Sequence, residues 1–149
     1  MTETAPLLIG VRFSLTGEVG ELLADARAVE AAGADSIWID GADGDPYVAL
    51  AAIAAVTWRA RLVARAATGA GRDTCAHLAR GRLVIAEECG ERWVETAFPE
   101  TPEAWIATRT EIVASGATGV ILPNDPRLID MLRNPGAVID RSDMKLAFG

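Results

Sequence analysis

Acidic side chains at or just beyond the ends of apolar runs offer the first chemistry in this chain: Asp40, Asp43, Glu87, Glu88 and Asp125. If those runs are parallel strands, these carboxylates converge on the face where α/β folds hold their ligands. Crowded carboxylates raise one another's pKa, which makes a general acid or base, and they also suit a hard divalent cation. Asp40, Glu87 and Glu88 are therefore the candidate catalytic residues. The competing reading makes Asp45 and Asp125 helix caps and leaves the others solvated in loops. A second candidate is the stretch Thr68-Gly69-Ala70-Gly71-Arg72. Turn N–H groups beside a guanidinium could hold a phosphate there, and a plain solvated loop is the alternative. Neither GxxxxGK[ST] nor a GxGxxG after the first apolar run is present. His77 is the only histidine, and no HExxH or clustered Cys/His pattern exists, so no transition-metal site is expected. No Ser-His-Asp set can be assembled, and Cys75 and Cys89 read as small core thiols.

The elements that must position these groups follow from periodicity and punctuation. Residues 7–15 are β-compatible. From Glu18 the pattern turns helical, with Leu22, Leu23, Ala26 and Val29 on one face and Gly33 as a left-handed stop. Residues 36–40 form a strand, and Asp45-Pro46 opens a nearly all-apolar helix to about Thr57. Residues 61–66 read as the third strand and 73–80 as a short helix. Residues 82–88 and 92–98 read as strands around the turn Cys89-Gly90-Glu91, compatible with an antiparallel hairpin over 82–98. Thr101-Pro102-Glu103 starts a helix that runs to Gly116. Residues 120–122 form a strand, and Asp125-Pro126 opens a last helix through Leu132. The segments 32–40 and 115–123 share the pattern Gly-Ala, apolar strand, then an Asp-Pro helix start, which favours a parallel sheet wrapped by helices.

A complete (β/α)₈ barrel takes about 200 residues or more. At 149 residues the chain supplies five or six strands. The expected fold is α/β: one domain over 1–149, a reduced or incomplete TIM-like barrel of mostly parallel strands, with the tail 136–149 less ordered. Exposed edges of such a sheet are a liability, so a homodimer that covers them is expected. A net charge of −7 argues against nucleic acid, and no apolar run approaches the roughly 20 residues of a membrane span. The N-terminus Met1-Thr2-Glu3-Thr4 lacks the basic start of a signal peptide, so a cytoplasmic protein is expected.

Val29-Glu30-Ala31-Ala32-Gly33-Ala34-Asp35-Ser36-Ile37-Trp38-Ile39-Asp40 resembles the second unit of the luciferase-like monooxygenases, the bacterial luciferase superfamily. The resemblance continues through Asp45-Pro46, Thr57-Trp58-Arg59-Ala60-Arg61-Leu62, Gly81-Arg82-Leu83-Val84 and the segment from Ser115 to Pro123. The run from Asp125 to Pro135 looks like short actinobacterial members. Together these motifs cover about residues 7–135. The resemblance implies a barrel with flavin mononucleotide or a deazaflavin at the strand C-terminal ends, and hydride transfer or oxygen activation at the ring. It would place the cofactor against the loop after Ile39, Thr68, Gly69, Gly71 and Arg72, and the Pro123-Asn124 turn. Asp40 falls where the family often carries an acidic residue or a histidine. Two departures stand out. The family's phosphate-holding segment is missing, and Ala86-Glu87-Glu88-Cys89 replaces a glycine-rich strand end, where two carboxylates would repel an anionic cofactor.

The leading expectation is a luciferase-like flavin- or deazaflavin-dependent oxidoreductase or monooxygenase, catalytically degenerate in its acidic strand end. The alternatives are a non-catalytic module that pairs with itself or a partner, and a metal-dependent acid/base enzyme built on the carboxylates.

Overall fold

The elements run β1 (Leu8–Phe13), α1 (Val19–Ala32), β2 (Ser36–Ile39), α2 (Pro46–Ala54), β3 (Arg61–Ala64), α3 (Arg72–Ala79), β4 (Leu83–Ile85), β5 (Trp93–Glu95), α4 (Pro102–Ala114), β6 (Gly119–Pro123) and α5 (Leu128–Arg133). The computed structural model describes residues 6–42 and 44–133, so Asp43 and the tail 136–149 lie outside the described residues. Helix starts follow the local chemistry. Asp45 accepts from the Tyr47 N–H at 2.9 Å ahead of Pro46, and Thr101 accepts from the Ala104 N–H at 3.0 Å ahead of Pro102. Gly33 closes α1 at φ 109°, a conformation that only glycine takes without strain. No helix among the described residues is long and apolar enough to cross a membrane.

The strands pair in the order β4-β3-β2-β1-β6-β5 and every pair is parallel. Helices separate most of the strands, and the whole is an incomplete TIM-like barrel. The hairpin expected over 82–98 does not form. Instead β4 and β5 lie at the two opposite edges, one on β3 and the other on β6. The physical reason is local. The Glu88 N–H turns back onto the Ile85 carbonyl and ends β4, while Thr118 donates to the Arg92 carbonyl and starts β5 alongside β6. Residues 86–92 therefore carry the chain from the top of one edge to the bottom of the other.

The sheet is strongly curled. The rings of Trp38 on β2 and Trp93 on β5 lie 5.2 Å apart, edge to face. Those strands are three places apart in the sheet, which in a flat sheet would be roughly 14 Å. Alternation along each strand then sorts the residues. Val11, Phe13, Ile37, Ile39, Leu62 and Leu122 face outward into the core shared with the helices, against Val29, Tyr47, Leu50 and Ile53. Trp38, Val63 and Ile121 face inward with Val84, Ala86 and Trp93 and fill the lumen. Glycines make that filling possible. A Cβ on Gly10 would stand 2.5 Å from the Trp38 Nε1 and 2.8 Å from the Ser36 Oγ, and one on Gly119 would collide with the Trp93 ring. Trp38 is held by its N–H donating to the Ser36 hydroxyl at 2.8 Å.

The N-terminal ends of the strands are locked by charge. Glu30, buried on α1, accepts from the backbone N–H groups of Trp58, Arg59 and Ala60 at 2.8–3.0 Å. Arg82 donates to the carbonyls of Ala54, Thr57, Ala60 and Ala79 and to the Thr57 hydroxyl. These bonds end α2 at Ala54, short of the expected Thr57. Burial alone would raise the Glu30 pKa. The three backbone donors and the charge of Arg82 outweigh it, and the net shift is downward.

Two measurements check this construction. Gly10→Ala should destabilise the protein by about 1–3 kcal/mol in urea unfolding, and in combination with Trp38→Leu the loss should be well below the sum of the two single losses. Because the folded Glu30 pKa is lowered, its contribution is complete above the ordinary value of 4.5 and is lost as pH falls through the folded value. Glu30→Gln should therefore cost about 1–3 kcal/mol at neutral pH, and the gap to the natural protein should shrink as the pH falls below that ordinary value.

Candidate functional site

Parallel strands with their helices on one side bring all strand C-termini to one face, together with the helix N-termini. An open cleft of about 670 Å³ lies there, between the ends of β1 and β6 and the first turns of α1 and α2. Its apolar lining includes Leu15, Val19, Leu22, Val48, Ala49 and Ala52, and its polar lining is Arg12, Ser14, Thr16 and Asn124 with the carboxylates of Glu18, Glu21, Asp25 and Asp45. The Ser14 and Thr16 hydroxyls share a hydrogen bond of 2.9 Å. The Asn124 amide donates to Asp25 at 2.9 Å, and its backbone N–H donates to the Arg12 carbonyl at 3.1 Å. A β-strand end, a helix and a turn are thereby fixed around one opening.

Beside the cleft is the mouth of the lumen. Arg12 at the end of β1 and Arg65 just past β3 both reach Glu95 at the end of β5. Each arginine takes a different carboxylate oxygen: Arg12 pairs with Oε1, and Arg65 donates to Oε2 at 2.8 Å. The Arg65 guanidinium also sits 5.3 Å over the Trp38 ring, a cation–π placement that fixes it above the lumen.

The residues singled out from the sequence differ in their surroundings. Asp40 is half-buried after β2, whereas Glu87 and Glu88 are exposed in the turn after β4. Glu88 faces Arg72 at 3.6 Å. Among the described residues no three His, Cys, Asp or Glu side chains gather as a metal ion would require. Asp125 is a turn cap: its carboxylate accepts from the Arg127 backbone N–H and pairs with that guanidinium, which together hold its pKa down to about 2. His77 is exposed on α3, and burial pushes the Cys75 thiol up to about 11, so it stays protonated.

The 68–72 loop is packed against α2. The Gly71 N–H donates to Asp45 at 2.9 Å. A Cβ on Gly69 would stand 2.6 Å from the Asp45 carboxylate and from the Tyr47 ring, and one on Gly71 would stand 3.0 Å from Val48. Arg72 donates to the Ala67 carbonyl at 2.5 Å, and Thr68 is exposed. Asp45 and Val48 line the cleft, but the loop glycines behind them do not. Of the expected cofactor-binding residues only Asn124 lines it.

Sequence reading missed Arg12, Arg65 and Glu95. The signal was present in the alternation: Gly10/Arg12, Trp38/Asp40, Val63/Arg65 and Trp93/Glu95 each place a polar residue one step beyond a small or apolar one on the same strand face. Comparison with known protein families and with characterised proteins finds no match for this chain.

Asp45 is the joint of this face, since it caps α2 and holds the Gly71 amide at once. Asp45→Ala should lower stability by about 1–2 kcal/mol, and amide hydrogen exchange at Gly71 should accelerate along with that at Tyr47. Unchanged Gly71 exchange would separate the two roles.

Proposed function

We propose that this chain is a non-catalytic, luciferase-like barrel remnant that binds a small organic molecule in the cleft between β1, β6, α1 and α2. One observation carries the reading. The cleft is open, whereas the lumen mouth, where a barrel enzyme places its chemistry, is bridged by Arg12, Glu95 and Arg65 over a Trp38–Trp93 pair.

The flavin or deazaflavin implied by the sequence resemblance does not fit these residues. The loop that would hold its phosphate turns its Gly71 N–H to Asp45 and its Arg72 to Ala67 and Glu88. No reaction step is therefore assigned to such a group. A mixed lining, with an aliphatic wall and a few convergent polar groups, is the usual make-up of a small-molecule site. Pairing with a second copy belongs to the same reading. Leu78 on α3 and Ile106 and Val113 on α4 are exposed apolar residues on helices that adjoin the two edge strands.

The test is a titration with flavin mononucleotide and a deazaflavin, alongside a screen of apolar fragments by amide chemical shift. Neither cofactor should bind with Kd tighter than about 100 μM, while fragments should shift Leu15, Leu22, Val48 and Asn124. Micromolar cofactor binding would restore the oxidoreductase reading. Fragment shifts confined to other surfaces would remove the cleft from it.

A further inference from the structure

We infer that Arg12 and Arg65 form a receptor for the oxyanion head, carboxylate or phosphate, of a small ligand, and that Glu95 occupies this receptor as an internal stand-in. The inference rests on the ligand-binding reading above and names the chemistry of the ligand.

The two guanidinia come from strands that flank β2, and they meet on one carboxylate. Two cations thus share one anion in a chain whose net charge is −7. Each arginine uses only its Nη1 on Glu95, and among the described residues the Nε and Nη2 groups of both have no acceptor. Those donors stand at the mouth with side chains 43% and 26% exposed, so a ligand can reach them. Arginine forks match carboxylate and phosphate oxygens in pairs, and Arg65 is already oriented by the Trp38 ring beneath it.

Glu95 is placed to yield. It is the last residue of a three-residue edge strand, and its side chain is 35% exposed. The Thr96 N–H donates to the Ile121 carbonyl, so the backbone stays in register while the carboxylate swings away. Arg12 also lines the cleft, so the arginine pair and the cleft adjoin at that residue.

The experiment titrates inorganic phosphate and acetate into the natural protein and into Glu95→Gln at constant ionic strength, following the Arg12 and Arg65 Nε–H resonances. The natural protein should bind weakly with both arginines shifting together. Glu95→Gln should bind about tenfold tighter, and adding Arg12→Ala or Arg65→Ala should return the affinity to the natural level or below. The stronger of the two anions identifies the head group. Ala52→Trp, which fills the cleft, should abolish fragment binding yet leave the anion response within about twofold, so the two readings fail separately. If Glu95→Gln does not fold, the natural protein decides the matter. Arginine resonances that stay still while phosphate rises to tens of millimolar overturn the proposal, as does a folded Glu95→Gln that binds no tighter.

Discussion

Six strands curled into a barrel wall enclose a lumen narrower than eight would, and that lumen cannot be left empty. A void there would forfeit dispersion contacts along every inward residue. The chain fills it with two indoles, Trp38 and Trp93, and makes room for them with glycine at Gly10 and Gly119. This pairing of a very large with a very small residue fixes the register of four strands, because a one-residue slip would put a side chain into a ring. It also decides which residues reach the mouth. Once Gly10 and Trp38 face inward, Arg12 must emerge above the first, and the side chain of Glu95 above Trp93 must meet it.

The two ends of the barrel use charge in opposite ways. At the N-terminal end Glu30 and Arg82 are saturated with backbone partners and tie α1, the turn before β3 and the start of β4 into one knot. A buried carboxylate such as Glu30 and a half-buried guanidinium such as Arg82 stabilise only because hydrogen-bond partners replace the water they lose. At the C-terminal end the charged groups are more exposed and incompletely paired, with the arginine donors at the mouth as the clearest case. The first arrangement leaves no donor or acceptor free for another molecule, whereas the second leaves arginine donors open, and the ligand binding proposed above draws on the second.

Local chemistry made most of the elements legible. Asp45-Pro46, Thr101-Pro102 and Gly33 state helix ends through groups within a few residues, and the structure uses them in that way. The β4–β5 relation was not legible, since two short apolar runs around a glycine carry the same signal whether they pair together or lie on opposite edges. The site was harder still. Gly69 and Gly71 suggest a phosphate loop by type, but their lack of a Cβ serves the approach of Asp45, Tyr47 and Val48. Arg12 and Glu95 are 83 residues apart, and nothing local marks them as partners until the sheet order is known.

That sheet order also bears on self-association. An open seam between β4 and β5 invites strand pairing with a second copy, but both edges are only three residues long. Residues 86–92 cross the seam from one edge to the other, and Glu91 is held to β3 by Arg61 at 2.5 Å. That bond lowers the Glu91 pKa and raises that of Arg61, so the clasp is charged across the neutral range. A strand from another molecule would have to displace this clasp and would gain few hydrogen bonds in return. The helices offer the easier route, because Ile106 and Val113 project from α4 one after the other at seven-residue spacing without any such barrier. In a six-stranded sheet clasped in this way, the surface that suits the proposed pairing is therefore the helix beside the sheet edge and not the edge itself.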